Sequence, residues 1–474
     1  MKKNLVVDLD GTLVRTDMLY ETFWSAFSKK WTTPIKSLFW LFSGKAKLKY
    51  KLAHLSDIDP KLLPFNQEVI SQIKQHRKKG GYTLLATASN QIIAEKISKY
   101  LNIFDEVKGS SKRLNLKGNS KAEFLKTRFG VKKYDYMGNS FDDLLIWKNA
   151  NKAIIVDANL DVVKDCKRIN SNQKIINSKT KQNTLFSLIK SIRVYQWIKN
   201  LLVFLPMLAS YQMTEQNFIL SFLAFISFSF IASSVYVIND LLDLKADRSH
   251  PEKKNRTFAS GEMSIKSGFI LFSILLILGI TVSFNTEIYF FLITILYFIF
   301  TLTYSLILKK KPIIDILILA ILYTFRIVGG SFATGINITF WLFTFSIFLF
   351  LSLAAVKRQS ELVDLKKRKK LITIGRGYKV TDLPIITMIA VSSCFMSVLV
   401  AGLYINSPIV SQLYSQPWTL GLGSFVLLFW LIKMIFDSNR GLINSDPIIY
   451  AVKDNISRMC FFIVFLLFSI SLIY

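Results

Sequence analysis

Over the first 170 residues, apolar positions come in short runs broken by charged stretches. Leu5-Val6-Val7, Tyr82 to Ala86, Tyr134 to Met137 and Ala153 to Val156 read as buried strands. Gln67–Lys78, Gln91–Leu101 and Lys121–Phe129 place apolar residues at helical spacing between them. This alternation predicts a parallel α/β sheet covered by helices. Beyond residue 185 the pattern becomes long apolar runs, roughly 197–210, 217–238, 267–284, 287–308, 313–331, 339–356, 384–405, 418–436 and 457–474. Most reach the ~20 residues needed to cross a bilayer. The first is interrupted by Lys199-Asn200 and Pro206, as in a broken or tilted span beside a polar cavity. The expected organisation is therefore multidomain. An α/β domain occupies 1–170, with helices inserted over about 18–80. A polar linker follows at 171–184, and an all-α bundle of nine transmembrane helices fills 185–474.

Charge adds a direction. The 474 residues are 51% apolar yet carry a formal charge of +29. Connections 211–216, 285–286, 332–338 and 406–417 hold no Lys or Arg. The alternate ones are basic: Lys245 to Arg256, Lys309 to Lys311, a dense run from Lys357 to Lys379, then Arg440 and Lys453. The positive-inside rule then places the N-terminal domain and the basic loops in the cytoplasm, with the chain spanning the inner membrane. Nucleic acid is not the expected partner, because the basic residues are interleaved with membrane-length apolar runs. The N-terminus meets acidic residues too early for a signal peptide. Cys166, Cys394 and Cys460 have neither metal nor disulfide spacing.

The strand Leu5–Val7 runs directly into Asp8-Leu9-Asp10-Gly11-Thr12. Polar residues at the ends of parallel strands gather in one crevice. There a carboxylate can attack phosphorus, and a second acid two residues on can protonate the leaving oxygen. Thr87 and Lys121 are candidates to hold the phosphoryl oxygens, with Mg²⁺ bridging carboxylates and phosphate. Asp8, Asp10, Thr12, Thr87 and Lys121 in this strand context resemble the haloacid dehalogenase phosphatase superfamily. The resemblance implies an aspartyl-phosphate mechanism, with Asp8, Asp10, Asn139 and Asp143 as metal ligands. Its fourth motif departs from the usual pattern: Gly138-Asn139-Ser140-Phe141-Asp142-Asp143 has an amide where an aspartate is usual. Asp142 or Asp143 is left to supply the charge. The insertion resembles a helical cap, and its aromatic run Phe23 to Phe42 either lies on a membrane surface or packs within the cap.

A second acidic cluster, Asn239-Asp240-x-x-Asp243-x-x-x-Asp247, follows the second apolar run. On a helix, Asn239, Asp243 and Asp247 would share a face. Carboxylates at a membrane helix end are costly unless they line a cavity or bind a cation. Beside so many cations they suit a magnesium-bound diphosphate. The cluster resembles the first aspartate motif of the UbiA prenyltransferase superfamily, which implies nine helices around a central cavity. The usual second aspartate motif is missing, and Lys357-Arg358-Gln359-Ser360-Glu361 stands there instead. With Arg193, Lys199-Asn200, His250, Lys253, Arg256, Tyr304, Lys309, Asp315, Arg326 and Arg376-Gly377-Tyr378, the chain resembles the branch containing decaprenyl-phosphate phosphoribosyltransferase. That likeness implies 5-phosphoribosyl diphosphate as donor, a polyprenyl phosphate as acceptor and diphosphate as leaving group. Asp240 and Asp243 are then catalytic and, with Asp247, metal-binding. Asn239, Lys199, Lys253, Arg256, Tyr304, Lys309, Arg326, Lys357 and Arg358 are substrate-binding. Asp315 and Arg326, eleven residues apart, are expected on one helix face towards the cavity. An aromatic prenyltransferase, or a membrane scaffold or transporter with an inactive phosphatase domain, is the alternative.

Overall fold

A computed structural model describes residues 4–177, 184–369, 376–408, 410, 414–443 and 446–472. Residues 178–183 of the expected linker, 370–375 of the dense basic run and 473–474 of the last expected span lie outside the described residues. The chain divides into two compact units. One comprises Met1–Ser191 with Val237–Leu271, and the other Ile192–Tyr236 with Phe272–Tyr474.

The first unit holds a six-stranded sheet: β1 (Asn4–Val7), β2 (Tyr82–Asn90), β3 (Glu106–Ser110), β4 (Tyr134–Gly138), β5 (Lys152–Val156) and β6 (Gln173–Ile176). All pairs are parallel, in the order β3-β2-β1-β4-β5-β6. The expected four strands are present at the centre. Both edges are additions, and β6 lies in the stretch expected to be linker. The central strands are nearly all apolar because helices cover both faces. Leu5, Val7 and Leu85 face one core and Val6, Leu84 and Ala86 the other.

Three helices are inserted between β1 and α4: α1 (Met18–Lys29), α2 (Thr33–Phe42) and α3 (Lys45–Leu55). Asp17 caps α1 by accepting the Leu19 N–H at 2.8 Å. The aromatic run is divided between them. Trp24 of α1 is buried, whereas Trp31, Leu38, Phe39 and Phe42 are 62, 62, 68 and 91% exposed. The helices α4 (Gln67–Lys78), α5 (Gln91–Leu101), α6 (Asn119–Phe129), α7 (Leu144–Asn149) and α8 (Leu160–Ile169) cover the sheet, and α9 (Thr184–Ile192) closes this part of the chain.

The helical part begins with a 3-10 segment, Val194–Phe204, and a short helix, α10 (Leu205–Ala209), opened by Pro206. Together they are too short to count as a span. Seven longer helices have the length and apolarity to cross a bilayer: α11 (Glu215–Leu242), α13 (Ile265–Thr286), α14 (Ile288–Leu306), α15 (Ile314–Thr334), α16 (Phe340–Lys367), α17 (Leu383–Ile405) and α18 (Pro417–Arg440). Between α11 and α13 lies the short α12 (Leu244–Ser249). The last apolar run is bent by 86° between α19 (Pro447–Lys453) and α20 (Asn455–Leu472). The described residues thus give seven candidate spans, or eight with the bent pair, where nine were expected. The shortfall is the first run, which Lys199, Asn200 and Pro206 keep from becoming a long α-helix. Its 3-10 segment fits closely against α15. A Cβ on Gly330 would come within 2.0 Å of the Val203 carbonyl oxygen. In the same unit, Phe228, Phe290 and Tyr297 are buried together, and α15–α18 share a core through Tyr323, Phe350, Leu353 and Trp430.

Candidate active sites

The first site lies where β1 separates β2 from β4, the switch point of the sheet. Asp8 directly follows β1, Thr87 lies within β2, and Asn139 follows β4. Lys121, near the start of α6, extends a buried side chain to Asp8. Its Nζ is 2.7 Å from Asp8 Oδ1 and 3.0 Å from the Tyr136 hydroxyl. Tyr136 in turn donates to Asp143 Oδ1 at 2.7 Å. The other Asp143 oxygen accepts the backbone N–H groups of Asn139 and Ser140 at 3.0 and 2.9 Å. Asp143 therefore holds the Asn139 loop in place. Asp142 points elsewhere, to an exposed ion pair with Lys117.

Asn139 Oδ1 accepts from Thr12 at 3.4 Å. The approach depends on Gly11, whose φ is +72° and whose added Cβ would fall 2.2 Å from Asn139 Nδ2. Asp10 accepts the Met18 N–H at 2.7 Å, the Ser89 hydroxyl at 2.7 Å and the Thr87 hydroxyl at 3.5 Å. Burial pushes Asp10 up to about 6, helped by the neighbouring Asp17 charge and opposed by the Met18 and Ser89 hydrogen bonds. Burial also pushes Asp8 up to about 7. Lys121 opposes that rise, while Asp143 and Asp10 add to it. Lys121 is raised in turn: burial alone would lower it, but Asp8 and Asp143 outweigh that. Lys49 of the cap closes one side by donating to the Ala88 carbonyl at 2.6 Å. Tyr136, Ser89 and Lys49 escaped the sequence reading. Ser89, two residues after Thr87 on a strand, was the one with a usable signal.

The second acidic cluster is not one continuous helix. α11 carries Asn239 and Asp240 and ends at Leu242, Asp243 makes the joint, and α12 carries Asp247. The residues that converge are Asp240 and Asp247, through Arg256 Nη1 at 3.0 and 2.7 Å. Asp243 keeps the segment in register: its N–H bonds the Asn239 carbonyl and its carbonyl receives the Asp247 N–H. Burial pushes Asp247 up to about 6 against the pull of Arg256, with Asp240 and Asp243 adding to the rise. Among the described residues, Asn239 Oδ1 is buried with no hydrogen-bond partner. Lys253 lies on an exposed turn nearby in sequence, Lys253–Asn255.

In the second unit, the charged residues singled out by the sequence fall, among the described residues, into three groups. Lys199 and Lys357 meet the same oxygen of Asp446, at 2.6 and 3.0 Å. Burial would raise Asp446, but Lys199 and Lys357 hold it well below the usual carboxylate range. Arg326 bonds Asn200 Oδ1 at 2.7 Å and the Tyr297 hydroxyl at 3.0 Å. Asp315 is clasped by Arg358, with the Tyr304 hydroxyl at 2.8 Å and Arg376 at 3.4 Å. Asp315 and Arg326 therefore serve different networks. Arg358, expected to meet a donor phosphate, is engaged at all three nitrogens by Asp315, Glu361 and Tyr304. Lys357, by contrast, meets only Asp446 among the hydrogen bonds of its side chain given for the described residues. Lys309 sits half-buried on the turn Leu308–Lys310. Asp446 was missed, although an aspartate before Pro447 was a helix-start signal.

Among the described residues, no group of three or more His, Cys, Asp or Glu is assembled as a metal site. The donor chemistry nonetheless suits magnesium. It favours hard oxygen donors and is often held by one or two carboxylates, with substrate phosphates completing the shell. The crowded carboxylates at Asp8 and Asp247, and the orphaned Asn239 oxygen, are what such a cation would relieve.

Comparison with known proteins decides the family. The UbiA prenyltransferase family model matches residues 201–444. The chain belongs to the UbiA prenyltransferase family. The protein y4nM of Sinorhizobium fredii is 32% identical over 458 residues, covering 96% of this chain and 88% of that protein. The α/β and membrane parts therefore align together in one relative. Decaprenyl-phosphate phosphoribosyltransferase of Mycolicibacterium smegmatis is 33% identical over 187 residues, covering 38% of this chain and 58% of that enzyme. A UbiA homologue from Archaeoglobus fulgidus bound to GPP and Mg²⁺ matches 60% of this family member and 99% of its own chain, at 17% identity and a TM-score of 0.46. A substrate-bound phosphoserine phosphatase matches 38% of this chain and 94% of its own, at 17% identity and a TM-score of 0.28.

Proposed function

We propose that this membrane transferase moves 5-phosphoribosyl from phosphoribosyl diphosphate to a polyprenyl phosphate. We further propose that its α/β domain then removes the 5-phosphate from the lipid-linked product. The observation that carries the reading is the convergence of Asp240 and Asp247 on Arg256 beside the unsatisfied Asn239 oxygen. This is a mixed acidic and basic site of the kind a metal-bound diphosphate requires. The similarity to decaprenyl-phosphate phosphoribosyltransferase supports the choice of donor.

In this reading an acceptor phosphate oxygen attacks the anomeric carbon, and the bond from that carbon to the diphosphate breaks. Phosphate monoesters are already anionic near neutral pH, so the attack needs no strong general base. Asp240, Asp243, Asp247 and Asn239 would hold a magnesium ion, which would supply charge neutralisation for the departing diphosphate. Arg256 and Lys253 take donor phosphate oxygens in the first unit, and Lys309 is a phosphate candidate of the second. Lys199 and Lys357 take phosphate charge in the second unit. Arg326 and Tyr304 shape their surroundings through Asn200 and Asp315.

In the α/β domain, Asp8 attacks the 5-phosphate and the phosphorus–oxygen bond to ribose breaks. Asp10 donates its proton to the ribose oxygen, a role its elevated pKa suits. Lys121 and Thr87 hold the transferred group; the carboxylate of Asp10 then takes a proton from a water whose oxygen attacks phosphorus, the bond to Asp8 breaks, and inorganic phosphate leaves. Asn139 and Asp143, with Asp8 and Asp10, would hold magnesium there.

Full-length protein supplied with labelled phosphoribosyl diphosphate and a polyprenyl phosphate tests both steps by lipid mass spectrometry. Wild type should yield lipid-linked ribose. Asp8→Asn should accumulate the 5-phosphate form, and Asp243→Ala should abolish transfer. Identical products from wild type and Asp8→Asn would remove the second step. Product formed only from a prenyl diphosphate and an aromatic acid would replace the first.

A further inference from the structure

The acidic segment of the membrane region belongs to the same compact unit as the α/β domain. One buried ion pair joins them. Arg248 immediately follows Asp247, and its two terminal nitrogens meet the two oxygens of Glu21 at 3.1 and 2.6 Å. Both side chains are under 10% exposed. The third nitrogen of Arg248 bonds the Ala259 carbonyl at 3.0 Å, in the loop that also carries Arg256. Glu21 lies in the first turn of α1, whose opening N–H, that of Met18, is held by Asp10. A short rigid path therefore runs from Asp10 through one turn of cap helix to Glu21, Arg248 and Asp247. Lys245 bonds Asp57 at 2.6 Å as a second, exposed contact. On the same side, Gly261 lies close enough to Arg15 and Pro64 that a Cβ would approach them at 3.2 and 3.4 Å.

We infer that Glu21 and Arg248 are positioning residues for the acidic segment, through which the phosphatase cap aligns Asp247 to receive a metal-bound diphosphate. A buried bidentate pair is hard to explain as a surface contact. Desolvating both charges is costly unless their geometry is fixed, and this one fixes the backbone beside Asp247. Outer partners of this kind typically shift ligand affinity by about 10–100-fold when removed. The inference rests on the acidic segment being the diphosphate site, so the test uses inorganic diphosphate itself.

Calorimetric binding of diphosphate with Mg²⁺ is measured on full-length protein in lipid nanodiscs. Glu21→Gln and Arg248→Gln should each weaken binding about 10-fold. The charge-reversed double variant, Glu21→Arg with Arg248→Glu, should recover most of that loss, which general destabilisation would not. Protection of the buried Cys166 thiol from labelling checks that the α/β core is intact in each variant. Single variants that bind within about twofold of wild type would overturn the inference. So would a charge-reversed variant no better than the singles, or singles whose weakened binding accompanies an exposed Cys166. If wild type binds diphosphate but makes no ribosylated lipid, the donor assignment fails, and the variants still decide the role of the pair.

Discussion

Lys121→Met is the sharpest perturbation of the α/β site. It removes one ammonium group and keeps most of the apolar stem. Lys121 is 4% exposed and lies 2.7 Å from Asp8, with Asp143 reached through Tyr136. Removing one partner of a buried pair ordinarily costs about 3–5 kcal/mol. Asp8 can escape part of that cost by taking a proton, and this is where activity suffers. Burial raises Asp8 to about 7, so its ionisation is sensitive to pH and to nearby charge around neutrality. Lys121 is the main influence opposing the rise, so its loss pushes Asp8 higher. Once its pKa stands well above the pH, each further unit cuts the nucleophilic carboxylate about tenfold. The assay is hydrolysis of p-nitrophenyl phosphate by full-length protein, followed from pH 5 to 9. The acid limb of the rate profile should move at least one unit to higher pH, and a one-unit rise alone lowers activity at pH 7 about fivefold. A profile that drops uniformly with its acid limb in place would refute the argument, because Lys121 would then act only on bound phosphate.

Two further predictions concern stability. Asp8 and Asp10 are raised above ordinary carboxylates, so between about pH 4 and 7 the native state binds more protons than the unfolded chain. Metal-free stability of the α/β unit should therefore fall as pH rises through that window, by about 4 kcal/mol if Asp8 alone is counted. Mg²⁺ should restore more at pH 8 than at pH 5, as measured by Cys166 labelling on heating; equal stabilisation at both pH values would argue against these carboxylates as its ligands. In the second unit, Asp446→Asn leaves Lys199 and Lys357 facing each other with no shared carboxylate, at a cost of about 3–5 kcal/mol. Thermal inactivation in detergent should accelerate, and adding Lys357→Met should recover part of the loss. A double variant less stable than Asp446→Asn would show that Asp446 does not act through this pair.

The parts of the fold legible in the sequence were those with a local cause. The four inner strands are apolar because both faces are covered, and their runs stand out against charged neighbours. β3, Glu-Val-Lys-Gly-Ser, and β6, Gln-Lys-Ile-Ile, are sheet edges. An edge strand keeps polar residues to discourage pairing with other chains, which erases the apolar signal. Apolar content also gave one run more than the candidate spans found among the described residues. Val194–Ala209 is apolar enough to suggest one, but Lys199 and Asn200 are drawn to Asp446 and to Arg326, and Pro206 opens a new helix. Its polar side chains, not its mean hydropathy, set its path.

The candidate sites divide along the same line. Asp8, Asp10 and Thr12 lie within five residues at the end of one strand, so their meeting needed no knowledge of the rest of the fold. The partners that set their chemistry lie far away: Lys121 is 113 residues from Asp8, Arg248 is 227 from Glu21, and Asp446 is 247 from Lys199. Asp315 and Arg326, expected on one helix face towards the cavity, are both buried, but spacing could not choose among the polar groups around them. Asp315 took the guanidinium of Arg358, and Arg326 took Asn200 and Tyr297. That choice matters for function, because a cation already saturated by carboxylates is a poor ligand for phosphate. Arg358 is such a cation, whereas Lys199 and Lys357 share a single carboxylate oxygen between two positive charges. Positive charge exceeds negative at the lysine pair and also at Arg326, which meets only neutral groups, so an incoming phosphate should find its counter-ions among these three.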